Sequence, residues 1–236
     1  MALRTTLPVV AVLALVGCTD RLQPTNDRWS RTGELIAQSG GQGGARYACV
    51  TCHGTQGEGN GYDSPRLAGL PTGYLQKQMI DYADGLRPHE VMRDVASFID
   101  TDEAIRVSNY YAAMPPAAFP PAALQPVPAS AVALYRNGDP SRGILSCASC
   151  HGVEGVGAPG GPPLSGQPAF YLARQLRDWK KGLRRNDGNH VMLIPSQRMT
   201  EAEIRGVSLY LSQLPPRPLP QARSGPESST PAPGRP

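Results

Sequence analysis

At 236 residues the chain has room for one large domain or two small ones. Aromatic residues make up 6% of it, and 26 glycines with 25 prolines leave a thin apolar core per residue. Its formal charge of +4 comes without a basic block, which argues against nucleic acid as a partner.

Residues 1–17 read as an export signal, with Arg4 ahead of an apolar run from Leu7 to Val16 that is too short to span a bilayer. The run ends in Leu15-Val16-Gly17-Cys18, which resembles the bacterial lipoprotein signal of small residues before an acylated cysteine. The alternative is an ordinary cleaved signal with an incidental cysteine. The other four of the five cysteines fall into two motifs, so Cys18 has no thiol left to pair with and lipidation is the better reading. Acyl chains, at about 0.8 kcal/mol per buried methylene, would then hold the protein to a membrane surface. Residues 18–31 read as a polar tether.

The next feature occurs twice. Cys49-Val50-Thr51-Cys52-His53 returns as Cys147-Ala148-Ser149-Cys150-His151, each copy followed by glycine. Cys-x-x-Cys-His is the attachment signature of c-type haem. On a helix the two cysteines and the histidine share one face, so two thioether bonds and an iron ligand can reach a single porphyrin. Zinc would need four packed protein ligands and has no use for a histidine directly after the second cysteine. A thioredoxin-like pair would sit between a strand and a helix, and little strand-like alternation surrounds either copy. Two covalent haems c are the expectation.

Around the motifs the chain repeats itself. Gly40 and Gly138 lie nine residues before the first cysteine of each copy. Pro65-Arg66-Leu67-Ala68-Gly69 answers to Pro162-Pro163-Leu164-Ser165-Gly166. Tyr74-Leu75 with Gln78, Asp81 and Gly85 recurs as Tyr171-Leu172 with Gln175, Asp178 and Gly182. Each half predicts a short helix before the motif, a glycine-rich loop after it, then two more helices. Leu75, Met79 and Tyr82, like Leu172, Leu176 and Trp179, fall at helical spacing and read as core and haem-packing positions. Thr200 with Glu203 predicts a capping box and Asp100 with Glu103 a near copy. Proline pairs at 115–116 and 215–216 stop the last helix of each half. Residues 114–130, rich in Pro and Ala, predict a semi-rigid extended connector, and residues 217–236 a disordered Pro-rich tail.

A haem iron held by one histidine has a sixth position whose occupant decides its chemistry. Met92 lies 39 residues after His53, and Met192 lies 41 after His151, in segments expected to loop back over the haem. Met199, Met114 and Met79 are weaker candidates because their counterparts Ile99, Leu214 and Leu176 cannot ligate. His89 and His190 are the alternatives. The shared flanks Val91-Met92 and Val191-Met192 favour methionine.

From Gly33 to Pro216 these residues together resemble the dihaem class I cytochromes c of the c-four type. The resemblance implies an all-α fold of two tandem cytochrome c domains, placed at 32–116 and 130–216 with a linker at 117–129. It also implies sixth ligands at Met92 and Met192 and two haems that approach across the domain interface. The expected function is electron transfer in the periplasm, from a quinol-oxidising complex or dehydrogenase to a terminal oxidase or reductase. No catalytic residue is expected, since two filled axial positions leave no place for oxygen or peroxide. The alternatives are a cytochrome subunit of a dedicated periplasmic dehydrogenase and a peroxidase-like dihaem enzyme.

Overall fold

The computed structural model describes residues 32–119, 124–159 and 161–218. The export signal, Cys18, the tether and the tail from residue 219 lie outside the described residues, as does part of the linker. The described chain is helical, with two isolated β-bridges, Asp139–Ile144 and Ala158–Gly161.

The first half contains α1 (Gly33–Ser39), the one-turn α2 (Val50–His53), α3 (Thr72–Ala83), α4 (Glu90–Phe98) and α5 (Thr101–Ala113). The second repeats the order with α6 (Ala129–Asn137), α7 (Ala148–His151), α8 (Ala169–Lys180), α9 (Leu193–Arg198) and α10 (Glu201–Ser212). In each, the first helix packs on the last and the long middle helix leans on both the last and the one before it. The first core gathers Ile36, Leu70, Leu75, Val95, Val107 and Tyr111, and the second Leu134, Tyr135, Ile144, Leu172, Ile204 and Leu211.

The helix starts follow local chemistry. The Thr32 hydroxyl accepts the Leu35 N–H at α1, and Asp100 accepts the Glu103 N–H at α5. At α10 both halves of the predicted capping box form, Glu203 N–H to Thr200 and Thr200 N–H to Glu203. At α5 the box is half made, because the Glu103 side chain turns inward and is buried. The last helices end at Ala113 and Ser212, just ahead of the proline pairs.

One expectation needs correction. Each half has three helices after its motif rather than two. The added ones, α4 and α9, occupy the segments expected to be irregular. Met92, Val95, Ala96 and Ile99 already carried the i, i+3, i+4, i+7 apolar spacing of a core-facing helix. In α9, Pro195 sits in the first turn, where no intrahelical N–H is lost. The linker, where it is described, is docked on both halves. Phe119 N–H donates to Glu58 O, and Gln125 exchanges two hydrogen bonds with the side chain of Gln213.

Candidate haem sites

Both motifs form the single turn that their spacing requires. Cys49 and Cys147 are already helical at the N-cap, and the His53 and His151 N–H groups donate back to their carbonyls, each at 2.9 Å. Cysteine, cysteine and histidine therefore share one face of each turn. The glycines that follow close the turns in left-handed backbone, φ 78° at Gly54 and 79° at Gly152, which other residues adopt only with strain.

The two histidines are buried and oriented alike. His53 Nδ1 lies 2.8 Å from Pro65 O and His151 Nδ1 2.9 Å from Pro162 O. A carbonyl only accepts, so Nδ1 carries the proton and Nε2 is left with a free lone pair, the state in which imidazole binds iron. Burial pushes both imidazoles below their ordinary pKa and keeps them neutral. The repeated Pro–Arg–Leu and Pro–Pro–Leu segments are thus explained, since their first carbonyl fixes the tautomer.

All four motif cysteines are unpaired. Burial pushes the Cys49 and Cys147 thiols up to about 11, the reverse of the lowered thiol of a redox-active pair. Nor do the motifs combine into a zinc site: among the described residues no three His, Cys, Asp or Glu side chains converge as metal ligands. What each motif offers at the wall of a cavity is two thiols that can bond to a porphyrin edge and one axial nitrogen for an iron whose equatorial nitrogens a macrocycle would bring.

The cavity measures about 930 Å³ and is lined by both halves of the chain. It reaches both motifs and both candidate methionines, and its walls include Leu75, Met79 and Tyr82 with Leu172, Leu176 and Trp179, as their spacing predicted. Met92 sits in the first turn of α4, and Met192 is the N-cap of α9. His89 also lines the cavity, but its Nδ1 accepts the Met92 N–H at 3.2 Å and so serves as the N-cap of α4. In the second half Asp187, ahead of α9 and not its N-cap, takes the N–H groups of Met192 at 2.9 Å and Leu193 at 3.0 Å, while the Trp179 indole N–H holds its other oxygen. His190 is exposed, in left-handed backbone with φ 58°. Met199 is buried in the second core.

The comparisons match this geometry. The cytochrome c family model covers residues 133–215. Cytochrome c4 of Pseudomonas aeruginosa is 32% identical over 186 residues, 76% of this chain and 92% of that protein. The chain belongs to the dihaem cytochromes c of the c4 type. A c4-type cytochrome binds two haems c covalently and transfers electrons, and its fold is two tandem cytochrome c domains. The thiosulfate dehydrogenase electron acceptor of Stutzerimonas stutzeri is 35% identical over 77% of this chain and 86% of its own length. Among solved structures, reduced cytochrome c4 from Pseudomonas stutzeri superposes with a TM-score of 0.62 at 27% identity, covering 70% of this chain and 93% of that one. The thiosulfate dehydrogenase TsdBA of Marichromatium purpuratum gives a TM-score of 0.69 at 36% identity over 78% of this chain, which spans 40% of that longer one.

Sequence reasoning missed a group of polar residues between the domains of this c4-type chain. Gln78 and Gln175 stood out as repeated positions, and Arg87 and Arg184 follow a shared Gly-Leu, but repetition alone assigned none of the four a role. All four are buried. A duplicated glutamine and a duplicated arginine at fixed distance were the available signal.

Proposed function

We propose that this dihaem cytochrome is the electron acceptor of a dedicated periplasmic dehydrogenase, of the kind that oxidises thiosulfate. The observation that carries this reading is the likeness over most of the chain, at 35% and 36% identity, to two proteins named for accepting electrons from thiosulfate dehydrogenase. The TsdBA chain, in which such a segment accompanies a dehydrogenase, supports it. In this reading Cys49 and Cys52 attach one haem and Cys147 and Cys150 the other. His53 and His151 are the proximal ligands, and Met92 and Met192 fill the sixth positions. Methionine–histidine ligation raises the potential of bound haem iron and closes it to small ligands, which suits outer-sphere transfer rather than peroxidase chemistry. Residues 32–116 and 130–216 are the two domains, and export to the periplasm with lipidation of Cys18 holds them at a membrane. No helix among the described residues is long and apolar enough to cross one.

Stopped-flow mixing with a purified thiosulfate dehydrogenase tests the partner. The oxidised cytochrome should be reduced only when thiosulfate is supplied. Reduction by a quinol-oxidising complex, with none by the dehydrogenase, would return it to the role of a respiratory carrier. Cys18→Ser should release the protein from the membrane fraction with both haems still attached.

A further inference from the structure

At the centre of the domain interface two guanidinium groups share two amide oxygens. Arg87 Nη1 donates to Gln78 Oε1 at 2.8 Å and its Nη2 to Gln175 Oε1 at 3.0 Å. Arg184 Nη1 donates to Gln175 Oε1 at 2.7 Å and its Nη2 to Gln78 Oε1 at 3.1 Å. Each arginine thus bonds one glutamine of its own domain and one of the other, and the four side chains close a ring. Arg87 reaches further across to the Tyr171 hydroxyl at 2.6 Å.

This ring holds two positive charges with no negative one. Both arginines are 4% exposed, and among the described residues neither has a carboxylate within ion-pair distance. The buried carboxylate nearby, Asp81, is taken by Lys77 at 2.6 Å and Asn186 at 2.7 Å. Arg87 Nε is buried and donates to nothing. Burial and the neighbouring Arg87 both push the Arg184 guanidinium down, whereas for Arg87 burial is outweighed by the surrounding tyrosines Tyr171, Tyr82 and Tyr74, which push it up. Two like charges in a shielded interface are costly unless an anion joins them. All four ring residues line the cavity that also holds His53, Met92, His151 and Met192.

Given two haems in this cavity, each brings two carboxylates on its propionate edge. We propose that Arg87 and Arg184 form one shared counter-charge for the propionates of both haems, so that each arginine acts on both irons. They are positioning residues that tune the haems and take no part in ligation. A positive charge beside a haem favours its reduced form, and because each guanidinium straddles the interface, the effect does not stay within one domain.

The test is a spectroelectrochemical titration of Arg87→Gln and Arg184→Gln in the full, haem-loaded protein. Haem stoichiometry by mass spectrometry of wild type and variants comes first: fewer than two haems on the wild type would overturn the two-haem reading, a failure distinct from loss of tuning. With two haems present, each single variant should lower both midpoint potentials, and Arg87→Lys should recover most of the shift. A shift confined to the haem of the substituted domain, or no shift, overturns the proposal. Redox-difference infrared spectra of wild-type protein with isotope-labelled arginine need no variant. Guanidinium bands should move at both reduction steps, and bands silent at either step would overturn it equally.

Discussion

The two halves of the chain are copies that satisfy the same constraints with different residues. The first and last helices of each half cross so closely that one of them must present a glycine. In the first half it is Gly33 on α1, where a Cβ would come within 2.2 Å of Arg106 O. In the second it is Gly206 on α10, where a Cβ would come within 2.8 Å of the Ala131 Cβ. Gly33 corresponds to Ala131 and Arg106 to Gly206, so the glycine has changed sides of the crossing. The side chains that hold the methionine N–H groups differ in the same way, His89 in one half and Asp187 in the other. Charge differs most: residues 33–116 carry six basic and ten acidic residues, against ten and six over 130–216. What the duplication keeps is a geometry, and the residue that meets it is free to move.

The largest effect should come from breaking one copy alone. Cys49→Ala with Cys52→Ala should remove one covalent haem and leave the other, as read by mass spectrometry and haem-stained denaturing gels. Met92→Ala should open one iron to an external ligand such as carbon monoxide in the reduced protein, while Met192→Ala opens the other. If the sulfur–iron charge-transfer band survives the double substitution, the sixth ligands are not these methionines.

The helix crossings come next. Gly206→Ala should destabilise the second domain by about 1–3 kcal/mol through overpacking, with thermal unfolding followed by haem absorbance as the readout. Adding Ala131→Gly should recover much of that loss, because it recreates the first domain's arrangement. A double variant no more stable than Gly206→Ala would mean that the two halves do not share one crossing.

These acceptors sharpen the comparison further. Asp187→Ala should cost about 0.5–2 kcal/mol and weaken the charge-transfer band of the second haem, since Met192 loses its anchor. His89→Asn keeps a cap acceptor without an imidazole, so the first haem should keep its band. Loss of that band in His89→Asn would make His89 the ligand instead.

Much of this was legible beforehand because it is local. The haem motifs, the proline stops and the box at Thr200 each depend on a few neighbouring residues, and each formed. The position of Met92 and Met192 was readable from paired flanks, but the helices that carry them were not. His89 is an unusual cap, and Pro195 looks like a breaker until its place in the first turn is known. The Arg87–Arg184 ring left only a faint trace, a glutamine and an arginine repeated at the same spacing. Its cross-domain bonds join residues 88 and 106 positions apart, and nothing in either half alone tells an interface arginine from a solvated one.

The smallest predicted difference is a response to acid that belongs to the second domain. Arg142 binds Glu203 at 2.6 Å and Asp139 at 2.6 Å, tying the loop before the second motif to the start of α10. The position equivalent to Arg142 in the first half is Gly44, and there a hydrogen bond from a neutral side chain replaces the ion pairs, Gln42 donating to Asp100 at 2.6 Å. Arg142 holds the Glu203 carboxyl below its ordinary pKa, and Ser141 with Arg142 holds that of Asp139 down to about 2. A carboxylate whose pKa is lower in the folded state stabilises that state above its unfolded pKa of about 4, and the contribution fades as pH falls through the folded value. Asp139 and Glu203 are 30% and 26% exposed, so solvent screening keeps both pairs weak. Arg142→Gln should therefore lower the melting temperature of the second domain slightly at pH 7 and hardly at all near pH 2, with the first domain unchanged throughout. Equal losses at both pH values would assign Arg142 a packing role, and an equal loss in the first domain would mean that the domains unfold as one.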